Sequence, residues 1–145
     1  MFKHILLPTD GSKLSEKAIR QSVRMAKAFG ARITALHVTP KSGAYLSPAD
    51  LLDAPPHSYA AHAARRAAEY LRFAEKVAHA AGVECVGVQL SADQPYKEIV
   101  KLAEKKGCDL ILMASHGRRG LEGLLLGSET QKVLTHSKVP VLVYR

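Results

Sequence analysis

The chain has 145 residues, a formal net charge of +8 and 47% apolar residues. That length suits one domain over residues 1–145 with its own core, and the apolar share excludes a disordered chain. No apolar run approaches the ~20 residues of a membrane-spanning helix. The Ile5-Leu6-Leu7 run before Pro8 also falls short of the ~7–15 apolar residues of a secretory signal. A cytoplasmic location and no membrane partner are therefore expected.

The chain alternates short apolar runs with longer helical patterns. Phe2–Leu7 reads as a strand that ends at Pro8. Ser12–Phe29 reads as a helix: Leu14, Ala18, Ile19, Val23, Ala26 and Phe29 recur at the 3–4 spacing of one face. Ser12 is its natural N-cap and Gly30 its stop. Arg32–Thr39 is β-branched and reads as a second strand. Four of the seven prolines fall between 40 and 57, so Lys41–Pro56 is a long loop, of the kind that often carries function. Ser58–Ala81 resumes a helix, with Tyr59, Ala63, Ala67, Tyr70, Ala74, Val77 and Ala81 on or near one face. Its charged residues Arg65, Arg66, Glu69, Arg72 and Glu75 read as a solvated face. Val83–Leu90 is a third strand, and Pro95–Lys106 a helix opened by its proline. Asp109–Ser115 is the most apolar strand, suited to burial on both sheet faces. Glu129–His136 is the last helix and Val141–Tyr144 the last strand. Strands and helices in alternation imply a doubly wound α/β domain with a mostly parallel sheet. Ligands of such sheets bind beyond the carboxyl ends of the strands. The loops of interest are Pro8–Ser12, Val38–Pro56 and Ser115–Ser128.

Four of the ten glycines lie between 117 and 127, after that apolar strand. Glycines there let backbone N–H groups approach a phosphate. Ser128, as N-cap with Gln131 in a capping box, would offer a helix N-terminus to an anion, and Arg118 and Arg119 add positive charge. Neither G-x-G-x-x-G nor the P-loop pattern is present. Asp10 and Thr9 could bind a ribose or base; the competing reading is a turn in which Asp10 and Ser12 only cap the helix.

These residues make the chain resemble a universal stress protein. The ATP-binding members carry G-x2-G-x9-G-[ST] after the fourth strand. Here Ala114-Ser115-His116-Gly117, nine further residues and Gly127-Ser128 align with it, and PTDGS near the start and KVPVLVYR at the end are also family-like. The resemblance implies a five-stranded sheet of order 3-2-1-4-5 with helices on both faces, a Rossmann-like adenine-nucleotide-binding fold. It implies a ligand, ATP or another adenine nucleotide with Mg2+ or Mn2+. Pro8, Thr9 and Asp10 would line the adenosine side. Val38 would meet the adenine through its backbone, and Met113 and Ala114 would flank ribose or base. Gly117 and Arg118 would approach the phosphates, with Gly127, Ser128, Glu129 and Thr130 completing the cradle. His116 would order the loop or touch phosphate. Ala114 replaces the first motif glycine, and its Cβ would crowd the ligand, or cost ~1–2 kcal/mol if the backbone there were left-handed.

The fifth strand is short and uncharged at a sheet edge, which invites pairing. The resemblance implies the partner, a second copy in a homodimer through Val141–Tyr144; the competing reading is a lone edge guarded by Arg145 and Pro140. The implied role is a stress-response sensor or regulator with a signalling partner the residues do not identify. Alternatives are a member that does not retain ATP and acts through protein contacts, and a weak metal-dependent nucleotide hydrolase using Asp10 or His116. No residue is assigned a catalytic or metal-ligating role, and at most slow ATP hydrolysis is expected. Cys85 and Cys108 lack C-x-x-C spacing and read as buried thiols. Nucleic acid is not an expected partner, because no basic-aromatic platform is present. The thirds of the chain carry +5 (1–50), −1 (51–100) and +4 (101–145). The excess thus falls in the thirds that hold the ligand loops, which suits a local electropositive cleft.

Overall fold

A computed structural model describes residues 1–41, 59–117 and 126–145. Its strands are β1 (His4–Pro8), β2 (Arg32–Thr39), β3 (Cys85–Ser91), β4 (Leu110–Ala114) and β5 (Val141–Tyr144). Its helices are α1 (Lys13–Phe29), α2 (Tyr59–Ala80), α3 (Pro95–Lys106) and α4 (Ser128–His136). The strands form one parallel sheet in the order β3-β2-β1-β4-β5. The Rossmann-like topology expected from the sequence is the one observed.

Alternation along the strands builds two cores. Ile5 and Leu7 of β1, Ile33 and Ala35 of β2, and Leu110 and Leu112 of β4 face one way, against Ile19 and Val23 of α1 and Leu71 and Ala74 of α2. Leu6, Leu36, Ile111 and Met113 face the other way, against Ile99 and Leu102 of α3 and Val133 of α4. The central strands are therefore apolar on both sides, which explains their unbroken apolar runs. On α2 the buried residues are Ala67, Leu71, Ala74 and Ala78. Of the expected face, Ala67 and Ala74 are buried and Val77 and Ala81 pack half-buried against that core, whereas Leu71 and Ala78 take the places expected of Tyr59, Ala63 and Tyr70. Glu75 is also more than a solvated charge, since its Oε1 accepts the Gly87 N–H of edge strand β3 at 2.8 Å.

The amino end of the sheet is pinned by polar groups. Asp109 accepts the N–H groups of Lys3 at 2.8 Å and His4 at 3.0 Å. Desolvation, the largest single influence, works to raise the Asp109 carboxyl, but the N–H groups of His4, Lys3 and Asp109 itself, together with the His4 charge, hold its pKa below the usual value. Buried His4 lies 2.8 Å from the Thr34 hydroxyl through Nε2. Burial, then the Arg32 charge, lower its pKa below 6.5. Both thiols are buried or half-buried and raised to about 11, Cys85 by burial and then Glu75, Cys108 by burial and then Asp109. Among the described residues no helix is long and apolar enough to cross a membrane.

Candidate functional site

The parallel sheet brings the ends of β1, β2 and β4 to one edge, and its order reverses between β1 and β4. That is the switch point where such folds bind ligands. The turn after β1 is tied to β2 from both sides. The Thr9 N–H donates to Leu36 O at 2.8 Å, and His37 Nδ1–H donates to Thr9 O at 2.8 Å. The Thr9 hydroxyl is committed locally, 2.6 Å from Ser15 Oγ and accepting the Gly11 N–H at 3.3 Å. Its side chain is only 6% exposed, so Thr9 builds the turn. Ser12 caps α1 as expected, accepting the Ser15 N–H at 3.1 Å. Asp10 Oδ1 accepts the Ser12 N–H at 3.0 Å, so one oxygen does serve the turn. The other points across to the end of β4, where a Cβ on Gly117 would collide with it. Gly11 has φ +74°, and the Tyr70 ring of α2 lies where its Cβ would be. Tyr70 in turn stacks edge-on against His37, with centroids 5.2 Å apart.

The glycine-rich segment starts and ends at one point. The Gly127 N–H donates to Ser115 O at 2.7 Å, and a Cβ on Gly127 would stand 3.2 Å from His116 Cα. His116 Nδ1 is 3.2 Å from Ser115 Oγ. Ser115 itself donates its N–H to Tyr144 O of β5 at 2.7 Å. Arg118 and Arg119 lie outside the described residues, as does the Lys41–Pro56 loop beyond Lys41. Ala114 is an ordinary strand residue paired with Tyr144, and among the described residues no non-glycine residue has positive φ. The left-handed cost considered for it therefore does not arise.

The capping box expected at α4 is not formed. Gly127 is the cap residue, Ser128 is the first residue of the helix, and no side chain caps it. Gln131 Nε2 donates to Leu126 O at 3.0 Å instead. The uncapped first turn leaves its N–H groups available to an anion. Thr130 fixes this turn to the sheet, donating its hydroxyl to Ala114 O at 3.0 Å. The Glu129 carboxylate turns toward α3, accepting the Tyr96 N–H at 2.9 Å and Lys132 Nζ at 3.1 Å. Only its backbone remains for the cradle. Val38 and Met113 lie on the α3–α4 side of the sheet, and Pro8 ends β1 beside Leu36.

Asp10, Gly117, His116 and Gly127 thus meet beside the start of α4. His37 and Tyr70, which hold the first turn, escaped the sequence reading. The signal was a glycine directly after Asp10, facing an aromatic residue on a helix.

The expected electropositive cleft is only partly drawn from the first third. Lys13, Lys17, Arg20, Arg24 and Lys27 stand on the exposed face of α1, and Lys3 Nζ donates to Phe29 O at 3.3 Å at the amino end of the sheet.

The universal stress protein family model matches residues 1–145. The chain belongs to that family. Universal stress protein MJ0531 of Methanocaldococcus jannaschii is 33% identical over 153 residues, covering 100% of this chain and 83% of the relative. The solved structure of MJ0577, from the same organism, matches with TM-score 0.78 at 30% identity, over 99% of this chain and 96% of that one. A universal stress protein from Archaeoglobus fulgidus, solved in complex with dAMP, matches with TM-score 0.69 over 100% of this chain and 98% of that one. At 18% identity that likeness is one of fold. This family member shares with these relatives the sheet whose carboxyl edge carries the Asp10, Gly117 and Gly127 cluster.

Proposed function

We propose that this universal stress protein binds ATP or another adenine nucleotide at the carboxyl edge of its sheet and works as a homodimeric sensor or regulator. The observation that carries the reading is the double close approach at that edge. Gly117 lies against Asp10 and Gly127 against His116, and both leave backbone rather than side chains facing the uncapped start of α4. Such a cradle suits phosphate, which takes N–H donors and a positive helix end. Adenosine would lie toward Asp10 and the end of β2 at Val38. The dAMP carried by a protein of the same fold supports a nucleoside monophosphate as the shared part of the ligand.

The described residues fit a cation only through the ligand. They contain no group of three or more His, Cys, Asp or Glu side chains able to hold a metal. Mg2+ or Mn2+ would therefore be held mainly by phosphate oxygens and water, as is usual for Mg2+ at nucleotide sites, and it would neutralise charge on the triphosphate. The chain's own residues bind and orient; turnover is slow or absent in this reading, and steady-state phosphate release from ATP measures it.

The dimer would form through β5. All four of its residues are half-buried in the single chain, and Leu134 of α4 is 40% exposed. An apolar edge of this kind is satisfied by a second strand. Val143→Arg should convert the dimer to a monomer in light scattering while circular dichroism is unchanged.

The site is tested by Gly127→Glu, which places bulk and negative charge against His116. Isothermal titration with ATP and AMP should show binding to the native chain and none to the variant. Equal affinity in both sinks the assignment. Mass spectrometry of small molecules released from the denatured protein identifies which nucleotide it retains.

A further inference from the structure

The solvent face of α1 carries a line of charge that the nucleotide site does not use. Lys13, Lys17, Arg20, Arg24 and Lys27 follow one another at i+4, i+3, i+4 and i+3, and all five are exposed. That spacing keeps them on one face of a helix. The only other exposed residues of α1 are Gln21 and Ala28. The opposite face, Ala18, Ile19, Val23 and Ala26, is buried against the sheet. Among the described residues none of the five cations forms an ion pair. Arg20 lies over the Phe73 ring of α2, 5.3 Å from its centroid, which holds that cation in place. Helix stability explains only part of the line, since Lys27 in the last turn suits the helix dipole and Glu16 stands between Lys13 and Arg20. Like charges at i+3 and i+4 repel, and Lys13 and Lys17 stand near the positive end of the helix dipole.

We propose that α1 is a docking ridge for the phosphodiester backbone of nucleic acid. The shape of the charge chooses the partner. Protein interfaces are built around a buried apolar or aromatic centre and are poor in Lys, and this face has no such centre. Insertion into a lipid surface needs large exposed apolar side chains, and α1 exposes none larger than Ala28. A straight row of cations matches a linear polyanion. From Lys13 to Lys27 the row runs about 21 Å at 1.5 Å per residue. One strand of B-DNA presents about six phosphates over that length. The contact is therefore electrostatic and independent of base sequence. It needs none of the base-stacking aromatics whose absence argued against nucleic acid at the level of sequence. Lys13 directly follows the Asp10–Ser12 turn, but the other four cations lie further along α1 and the test variants are at Lys17 and Arg24, so the inference does not depend on the nucleotide reading.

The experiment titrates the full chain against a fluorescein-labelled mixed-sequence DNA duplex, by anisotropy, over a series of NaCl concentrations. Five phosphate contacts predict a slope of about −4.5 in log K against log salt. Lys17→Gln/Arg24→Gln should reduce that slope by about 1.8 and weaken binding at every salt concentration. Both side chains are exposed, so the variant should melt no lower than the native chain. Lys101→Gln/Lys105→Gln removes the same charge from α3, on the other side of the sheet, and should leave the slope unchanged. Gly127→Glu should bind duplex as the native chain does. Absence of duplex binding at low salt overturns the proposal, as does an equal loss in the α1 and α3 pairs. Stripe-dependent binding to phosphatidylserine vesicles without duplex binding also overturns it, in favour of a membrane surface.

Discussion

The turn after β1 rests on a glycine that has no room for a side chain, and Gly11→Ala measures that constraint. Gly11 has φ +74°, and the Tyr70 ring occupies the place of a Cβ. A left-handed alanine costs about 1–2 kcal/mol. Overpacking against a held neighbour costs a further ~1–3 kcal/mol. Together they predict a loss of about 2–5 kcal/mol from a total stability of ~5–15 kcal/mol. At about 2–4 °C per kcal/mol for a chain near this size, the melting temperature should fall by roughly 4–20 °C. The two contributions are separable. In Gly11→Ala/Tyr70→Ala the overlap is gone and only the backbone cost remains. The double variant should therefore be more stable than the sum of the single losses by about 1–3 kcal/mol. Urea unfolding of the four proteins, followed by circular dichroism, gives the coupling energy directly. Additive losses would show that Tyr70 does not confine the turn. A neutral Gly11→Ala would show that the turn is not held left-handed.

Gly117→Ala should displace the Asp10 carboxylate and cost the bond to the Ser12 N–H, with about tenfold weaker nucleotide binding by titration, equivalent to ~1.4 kcal/mol; a normal affinity there would separate Asp10 from the ligand. Cys85 and Cys108, both raised to about 11, should hold almost no thiolate at pH 8, so the folded chain should react with iodoacetamide far more slowly than the urea-unfolded chain. His4 has a folded pKa below its unfolded value of 6.5, so its contribution is complete above about pH 6.5 and is lost as pH falls toward the folded value. His4→Gln should flatten that part of the stability profile in urea titrations between pH 7 and 5. Asp109, lowered from 3.8, acts in a more acidic window: its contribution is present above that value and disappears as pH falls through the folded pKa. Asp109→Asn should remove that lower step and, by taking away the charge that raises His4, move the His4 step to lower pH.

Elements with marked ends were legible in the sequence. β2 lies between Gly30-Ala31 and Pro40, and α3 between Pro95 and Gly107, and the structure places both at the expected residues. Where a distant contact decides a boundary, the sequence reading slips. β1 begins at His4 because the Lys3 and His4 N–H groups are taken by Asp109, more than a hundred positions away. α4 begins at Ser128 rather than Glu129, with Gly127 as its cap, as the chain returns to Ser115. Glu129 and Glu75 likewise turn to backbone donors on other elements, which periodicity on a single helix does not reveal. The row of cations on α1 was visible in its spacing, but a charge count by thirds averages it away. The glycine cluster identified the site region, whereas His37 and Tyr70 required the packing of α2 over β2.

The polar anchor at His4 and Asp109 has a practical consequence for engineering. It sits at the amino end of β1, and the turn of Asp10 and Gly11 sits at the other. Five residues of strand keep the two ends roughly 13 Å apart at ~3.3 Å per residue. Free-energy changes at sites farther apart than ~7–10 Å and without shared partners usually add. Substitutions that strengthen the anchor can therefore be combined with any variant of the ligand loops without re-measuring each pair. A chain stabilised at the amino end becomes a tolerant host in which costly loop changes, Gly11→Ala among them, remain folded long enough to be assayed for binding.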